Sequence, residues 1–98
     1  MGAPLQGKKL KQEIQGHLEA GTFRFDDHAL KRMEERNVIV SEIVQVLRNG
    51  FNDESQNELD SKYLTWSYAI CGSTNDGRTL KVVVTFAPPN MLIISVVK

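Results

Sequence analysis

The chain holds one cysteine, Cys71, and three prolines in 98 residues, its longest apolar runs are six or seven residues, and its net charge is zero. Each shortage excludes something. A single thiol rules out a disulfide framework and any zinc site built mainly from thiolates. It fits a reducing compartment, so a cytoplasmic protein is expected. The runs VVVTFA and MLIISVV are far too short to span a bilayer. The opening segment MGAPLQGKKLKQE is charged, and no apolar core of signal-peptide length follows it. No membrane partner is therefore expected.

Charge is balanced at twelve basic and twelve acidic residues. Residues 1–50 carry eight Lys/Arg and seven Asp/Glu, and the remainder four and five. Neither half is a polycation, so any nucleic-acid binding must rest on a local patch. Motif absences are as informative. There is no H-E-x-x-H, no EF-hand, no Cys/His ligand spacing, no P-loop, no dinucleotide-binding glycine pattern and no G-x-S-x-G elbow. Asp26, Asp27 and His28 look like ligands, but adjacent helical residues point about 100° apart and do not converge on one ion. Neither a metal nor a cofactor is expected.

What is present is a globular composition, 41% apolar and 24% charged, enough for one modest core. A single domain over residues 1–98 is expected. The first half has helical periodicity. Leu5, Leu10, Ile14 and Leu18 form a stripe that Gly21 ends. TFRF is a short extended segment. Asp26 or Asp27 caps a second helix ending near Asn37, and Ser41 caps a third, EIVQVLRN, that stops at Gly50.

The second half alternates with period two. Leu64, Trp66, Tyr68 and Ile70 face one way, as do Leu80, Val82, Val84 and Phe86. GSTNDG and APPN are turns, and MLIISVVK is a last strand. The polar stretch 51–62 reads as a mobile loop with at most a short edge strand. The expected fold is α+β: N-terminal helices packed on a three- or four-stranded antiparallel sheet. Its opposite face should carry Thr65, Ser67, Thr79, Lys81 and Thr85, a lysine among hydroxyls that suits a polyanion. An ordinary solvated face is the alternative.

Within FRFDDHALKRMEERNV, positions 28, 32 and 36 project along one ridge, aligning His28, Arg32 and Arg36. Ala29, Leu30 and Met33 lie on the neighbouring, core-facing stripe. A histidine in the first turn, where the helix dipole favours anions, pairs sensibly with arginine for phosphoryl chemistry: the ring moves a proton and the guanidinium holds phosphate. The alternative is a solvated basic helix whose histidine bonds to the protein and whose arginines pair with Glu34 and Glu35. Cys71 reads as a buried thiol, and Trp66 as core.

HALKRMEERNV, SEIVQVLRNG, the W-x-Y-x-I-x-G strand, DGRTLKVVV and the terminal LIISVV resemble a small bacterial family of unknown function marked by HA-x-x-RM-x-x-R. The likeness runs from about Phe23 to Val97. That family in turn resembles the RelE/MqsR-like toxin ribonucleases of toxin–antitoxin pairs. The resemblance implies helices on an antiparallel sheet, RNA as substrate and a cognate antitoxin protein as partner. It also implies that Lys98 and the strand from Gly77 to Lys81 border the site. Ser67 stands where those toxins have a glutamine after the tryptophan, and Thr79 falls near their catalytic tyrosine, so that set is not intact. The expectation is a metal-independent endoribonuclease with His28, Arg32 and Lys81 catalytic and Arg36, Lys98, Ser67 and Thr79 binding RNA. The rival is a non-catalytic interaction module, in which His28 and Arg32 fix the second helix to the sheet.

Overall fold

A computed structural model describes residues 3–97. Three helices precede the long strands: α1 (Gly7–Ala20), α2 (Asp27–Arg36) and α3 (Val40–Asn49). The strands are β1 (Phe23–Phe25), β2 (Phe51–Asn52), β3 (Glu58–Asp60), β4 (Thr65–Ser73), β5 (Thr79–Ala87) and β6 (Asn90–Val97). They form one open sheet in the order β1-β6-β5-β4-β2, with β3 also on β4. All pairings are antiparallel except β1 on β6. The α+β expectation holds. The strand number does not: the three-stranded meander gains three short segments at its edges, making six.

Each helix ends for a local reason. α1 buries Leu10, Ile14 and Leu18 and stops at Gly21, whose φ of 71° is left-handed. α2 starts where the Asp26 carboxylate accepts the Ala29 N–H at 2.9 Å, and it stops at left-handed Asn37. α3 starts two residues earlier than expected, at Val40. Ile39, not Ser41, is its N-cap, and the Glu42 carboxylate accepts the Ile39 N–H at 3.1 Å. Gly50 follows α3 because a Cβ there would collide with the carbonyls of Cys71 and Val46.

The core lies between these helices and one sheet face: Leu10, Ile14, Ala29, Met33, Ile43, Val46 and Leu47 against Tyr68, Ile70, Leu80, Val82, Val84, Met91, Ile93 and Val96. The alternation therefore assigned the faces correctly, with one exception. Leu64 was expected on the core face. It sits in the β3–β4 turn with φ of 56° and is 70% exposed. The turn overrides the pattern because the Asp60 carboxylate accepts the N–H groups of Lys62 and Tyr63, and the Asp60 carbonyl accepts that of Leu64.

Residues 51–60 are a broken edge strand rather than a loop. Asn52 and Asn57 exchange amide hydrogen bonds, Asn52 also donates to the Ala69 carbonyl, and Asn57 accepts the Ala69 N–H. β6 contains a bulge: Val83 pairs with Ser95 and Val84 with Ile93, so Ile94 is an extra residue. Among the described residues no helix is long and apolar enough to cross a membrane.

Candidate functional site

The second sheet face is defined by register. Ser67 lies opposite Thr85, Cys71 opposite Lys81, and Lys81 and Val83 opposite Val97 and Ser95. The hydroxyls there are not free. Thr85, fully buried, donates to the Trp66 carbonyl at 2.8 Å, and Ser67 to the Glu58 carbonyl at 3.2 Å. What remains open is a concavity of about 410 Å3. Its floor is Val83, Ile94 and Val97 with Ser67 and Ser95, and Lys81 rises from β5. Its wall comes from the other side of the chain: Asp26 and His28 at the start of α2, Glu58 and Asp60 of β3, and Lys62 and Tyr63 of the turn.

The parallel β1–β6 pairing brings α2 to this place. The Met91 N–H bonds to the Thr22 carbonyl and the Asp26 N–H to the Ile93 carbonyl, each near 3.0 Å. That fixes where α2 begins, beside the bulge. Asp26, with only 10% of its side chain exposed, then serves three partners. One oxygen caps α2, and the other accepts the Tyr63 hydroxyl at 3.2 Å and lies 3.9 Å from the Lys62 ammonium. The Tyr63 side chain first, then the charges of Asp26 and Asp27, hold the Lys62 ammonium above the ordinary lysine range. Lys62 also lies 5.1 Å from the centre of the Tyr63 ring.

The expected site residues separate. His28 and Lys81 line the same concavity, and Ser67 lies beneath them with its hydroxyl turned to a backbone carbonyl. Exposed His28 has no hydrogen-bond partner among the described residues, whereas Lys81 donates to the Gln56 amide oxygen at 2.5 Å. Arg32 is not in the lining: it pairs with Glu35 at 3.1 Å on the outer side of α2. Arg36 is half-buried at the other end of α2, where its carbonyl accepts from Arg78. Thr79 is exposed at the far end of β5, opposite Ser73. Lys98 lies outside the described residues, although its neighbour Val97 is in the floor. Cys71, expected to be buried, is half-buried on the open face.

Five charged or aromatic lining residues escaped the sequence reading as site residues: Glu58, Asp60, Lys62, Tyr63 and, in its wall role, Asp26. The Asp-x-Lys-Tyr order at 60–63, with an Asx-turn carboxylate two residues before a lysine, was the available signal. No group of three or more His, Cys, Asp or Glu residues placed to hold a metal ion occurs among the described residues.

With this geometry in view, comparison with known families is decisive on one point. Residues 25–98 match the model of the domain of unknown function DUF4258. The chain belongs to the DUF4258 family. No curated protein and no solved structure matches the chain. The DUF4258 match includes α2, α3 and all five strands after β1, hence every lining residue of the concavity; α1 precedes it.

Proposed function

We propose that this DUF4258 domain is a toxin-like, metal-independent endoribonuclease of the RelE/MqsR-like kind, acting from the concavity between α2 and the open sheet face. One observation carries the reading: His28, which has no hydrogen-bond partner among the described residues, lines the same hollow as the cation Lys81. A proton-transfer group and a fixed positive charge beside one open space are what transesterification of RNA requires.

In this reading His28 takes the proton of the 2′-hydroxyl. The 2′-oxygen bonds to phosphorus, and the P–O5′ bond breaks as the 5′-oxygen takes a proton from Tyr63. The products are a 2′,3′-cyclic phosphate and a 5′-hydroxyl; the imidazolium then returns its proton to the phenolate through solvent. Lys81 and Lys62 stabilise the charge that builds on the phosphoryl oxygens. Arg32, paired with Glu35 outside the lining, takes no part in this step. The apolar patch Val83, Ile94 and Val97 supports an unstacked base, so the substrate class is single-stranded RNA. A cognate antitoxin protein is the partner this reading implies, in the cytoplasm.

The test is direct. Purified protein in excess chelator is incubated with single-stranded RNA, and fragments are analysed for cyclic phosphate ends. Cleavage that disappears in folded His28→Ala, together with growth arrest on induction of wild type alone, supports the reading. Intact RNA and identical growth of both strains would reject it in favour of a non-catalytic interaction module.

A further inference from the structure

A second surface lies away from this concavity, where α1, α3 and β2 meet. Buried Leu10, Ile14, Leu47 and Ile70 floor an open cavity of about 280 Å3. At its rim stands Phe51, a large aromatic on the sheet edge that is 67% exposed. An exposed aromatic beside an apolar hollow is costly to leave in water.

Charge is arranged on two sides of this hollow. Lys8, Lys9 and Lys11 open α1 with no acidic residue in its first turn, so three cations sit at the positive end of the helix dipole. Opposite them, Glu54 follows Phe51 by three residues and lines the hollow, while Glu58 and Asp60 further along belong to the His28 concavity. Lys11 and Glu54 line the same cavity, yet no ion pair joins them among the described residues. Zero net charge thus conceals a basic helix start on one side of an apolar centre and the Glu54 carboxylate on the other.

A surface with plus on one side, minus on the other and an apolar residue between is complementary to itself under a two-fold rotation. We propose that two copies of this chain pair through it. Each Phe51 enters the partner's cavity, and Lys11 of each copy faces Glu54 of the other. The volume suffices, since a cavity of about 150 Å3 already accepts benzene. The basic block comes from α1, which precedes the DUF4258 match, so the pairing depends on a helix the family model does not include. This inference is independent of the ribonuclease reading, and Phe51, Lys11 and Glu54, on which it turns, are not in the lining of the His28 concavity.

Sedimentation of the full chain over a concentration series tests it. Wild type should be a dimer that loosens with added salt, and Phe51→Ser should be a folded monomer. Lys11→Glu and Glu54→Lys should each weaken dimerisation about tenfold or more, because each homodimer then sets like charges together. Mixed in equal amounts, the two variants should form a heterodimer, since both crossed pairs are then opposite in sign. A change of fold within one chain does not produce that rescue. A wild type that stays monomeric up to ~1 mM, or a mixture that stays as weak as its components, overturns the proposal.

Discussion

Arg78 and His28 are polar side chains at opposite extremes of engagement. Arg78, at the start of the second hairpin strand, donates to the Arg36 and Asn37 carbonyls at 3.2 Å, to Asp76 at 3.0 Å and to Glu42. It thereby ties the β4–β5 turn to the end of α2 and the start of α3, where Glu42 also caps Ile39. Glu42 and then Asp76 raise its affinity for its proton further. His28 has no such bonds among the described residues and borders an open hollow. A side chain whose donors are all matched within the fold is there to hold it. One with unmatched donors beside a concavity is available to something outside. From sequence His28 was the expected catalytic group, with a helix anchor as the rival, whereas Arg78 drew notice only as part of the strand from Gly77 to Lys81.

Mutation should separate the two roles. The largest effect belongs to His28→Ala, expected to lower RNA cleavage by roughly 10²–10⁴-fold, measured as initial rate, with no shift of the thermal midpoint. Lys81→Ala follows, at about 10²-fold in rate. Its structural cost should be small, because among the described residues its ammonium bonds to the amide oxygen of exposed Gln56 alone. Arg78→Ala should invert this pattern. It should lower the urea unfolding midpoint, since Glu42 and two carbonyls lose a charged donor. Its cleavage rate per folded molecule should be retained.

The smallest effect concerns acid. Asp76 is held below its usual 3.8 first by the Thr74 hydroxyl and then by Arg78, and Asp53 by the Ser55 hydroxyl and Gln56. With folded values depressed, their contribution is complete above the unfolded value near 3.8 and is lost as pH falls through the folded ones. Urea midpoints should therefore be level at neutral pH and decline below about pH 4, with a shallower decline in Asp76→Asn.

Helices and long strands were legible because their side chains obey a period over eight or more residues. Asp26 as cap, Asn37 as terminator and the core face of β5 all follow from local chemistry. β2 and β3, at two and three residues, are too short to carry a period, and they exist because β4 offers an unpaired edge. Leu64 continued the alternation but lost to the Asp60 carboxylate. His28 and Lys81 were each singled out from residue type. That they share a hollow was not legible, since it depends on the parallel pairing of a three-residue strand with the last strand of the chain. The same distance in sequence hid Tyr63, which reaches Asp26 across 37 positions.

The extra residue in β6 has a further consequence. Removing Ile94 from the written order leaves Met91, Leu92, Ile93, Ser95, Val96 and Val97, an unbroken alternation with Met91, Ile93 and Val96 still inward. A one-residue deletion, ordinarily ruinous inside a strand because it turns every later side chain over, should here be absorbed by the fold. The deleted chain should unfold cooperatively and keep its core. It would lose part of the floor beneath His28 and Lys81, so Ile94 shapes the hollow more than it specifies the fold.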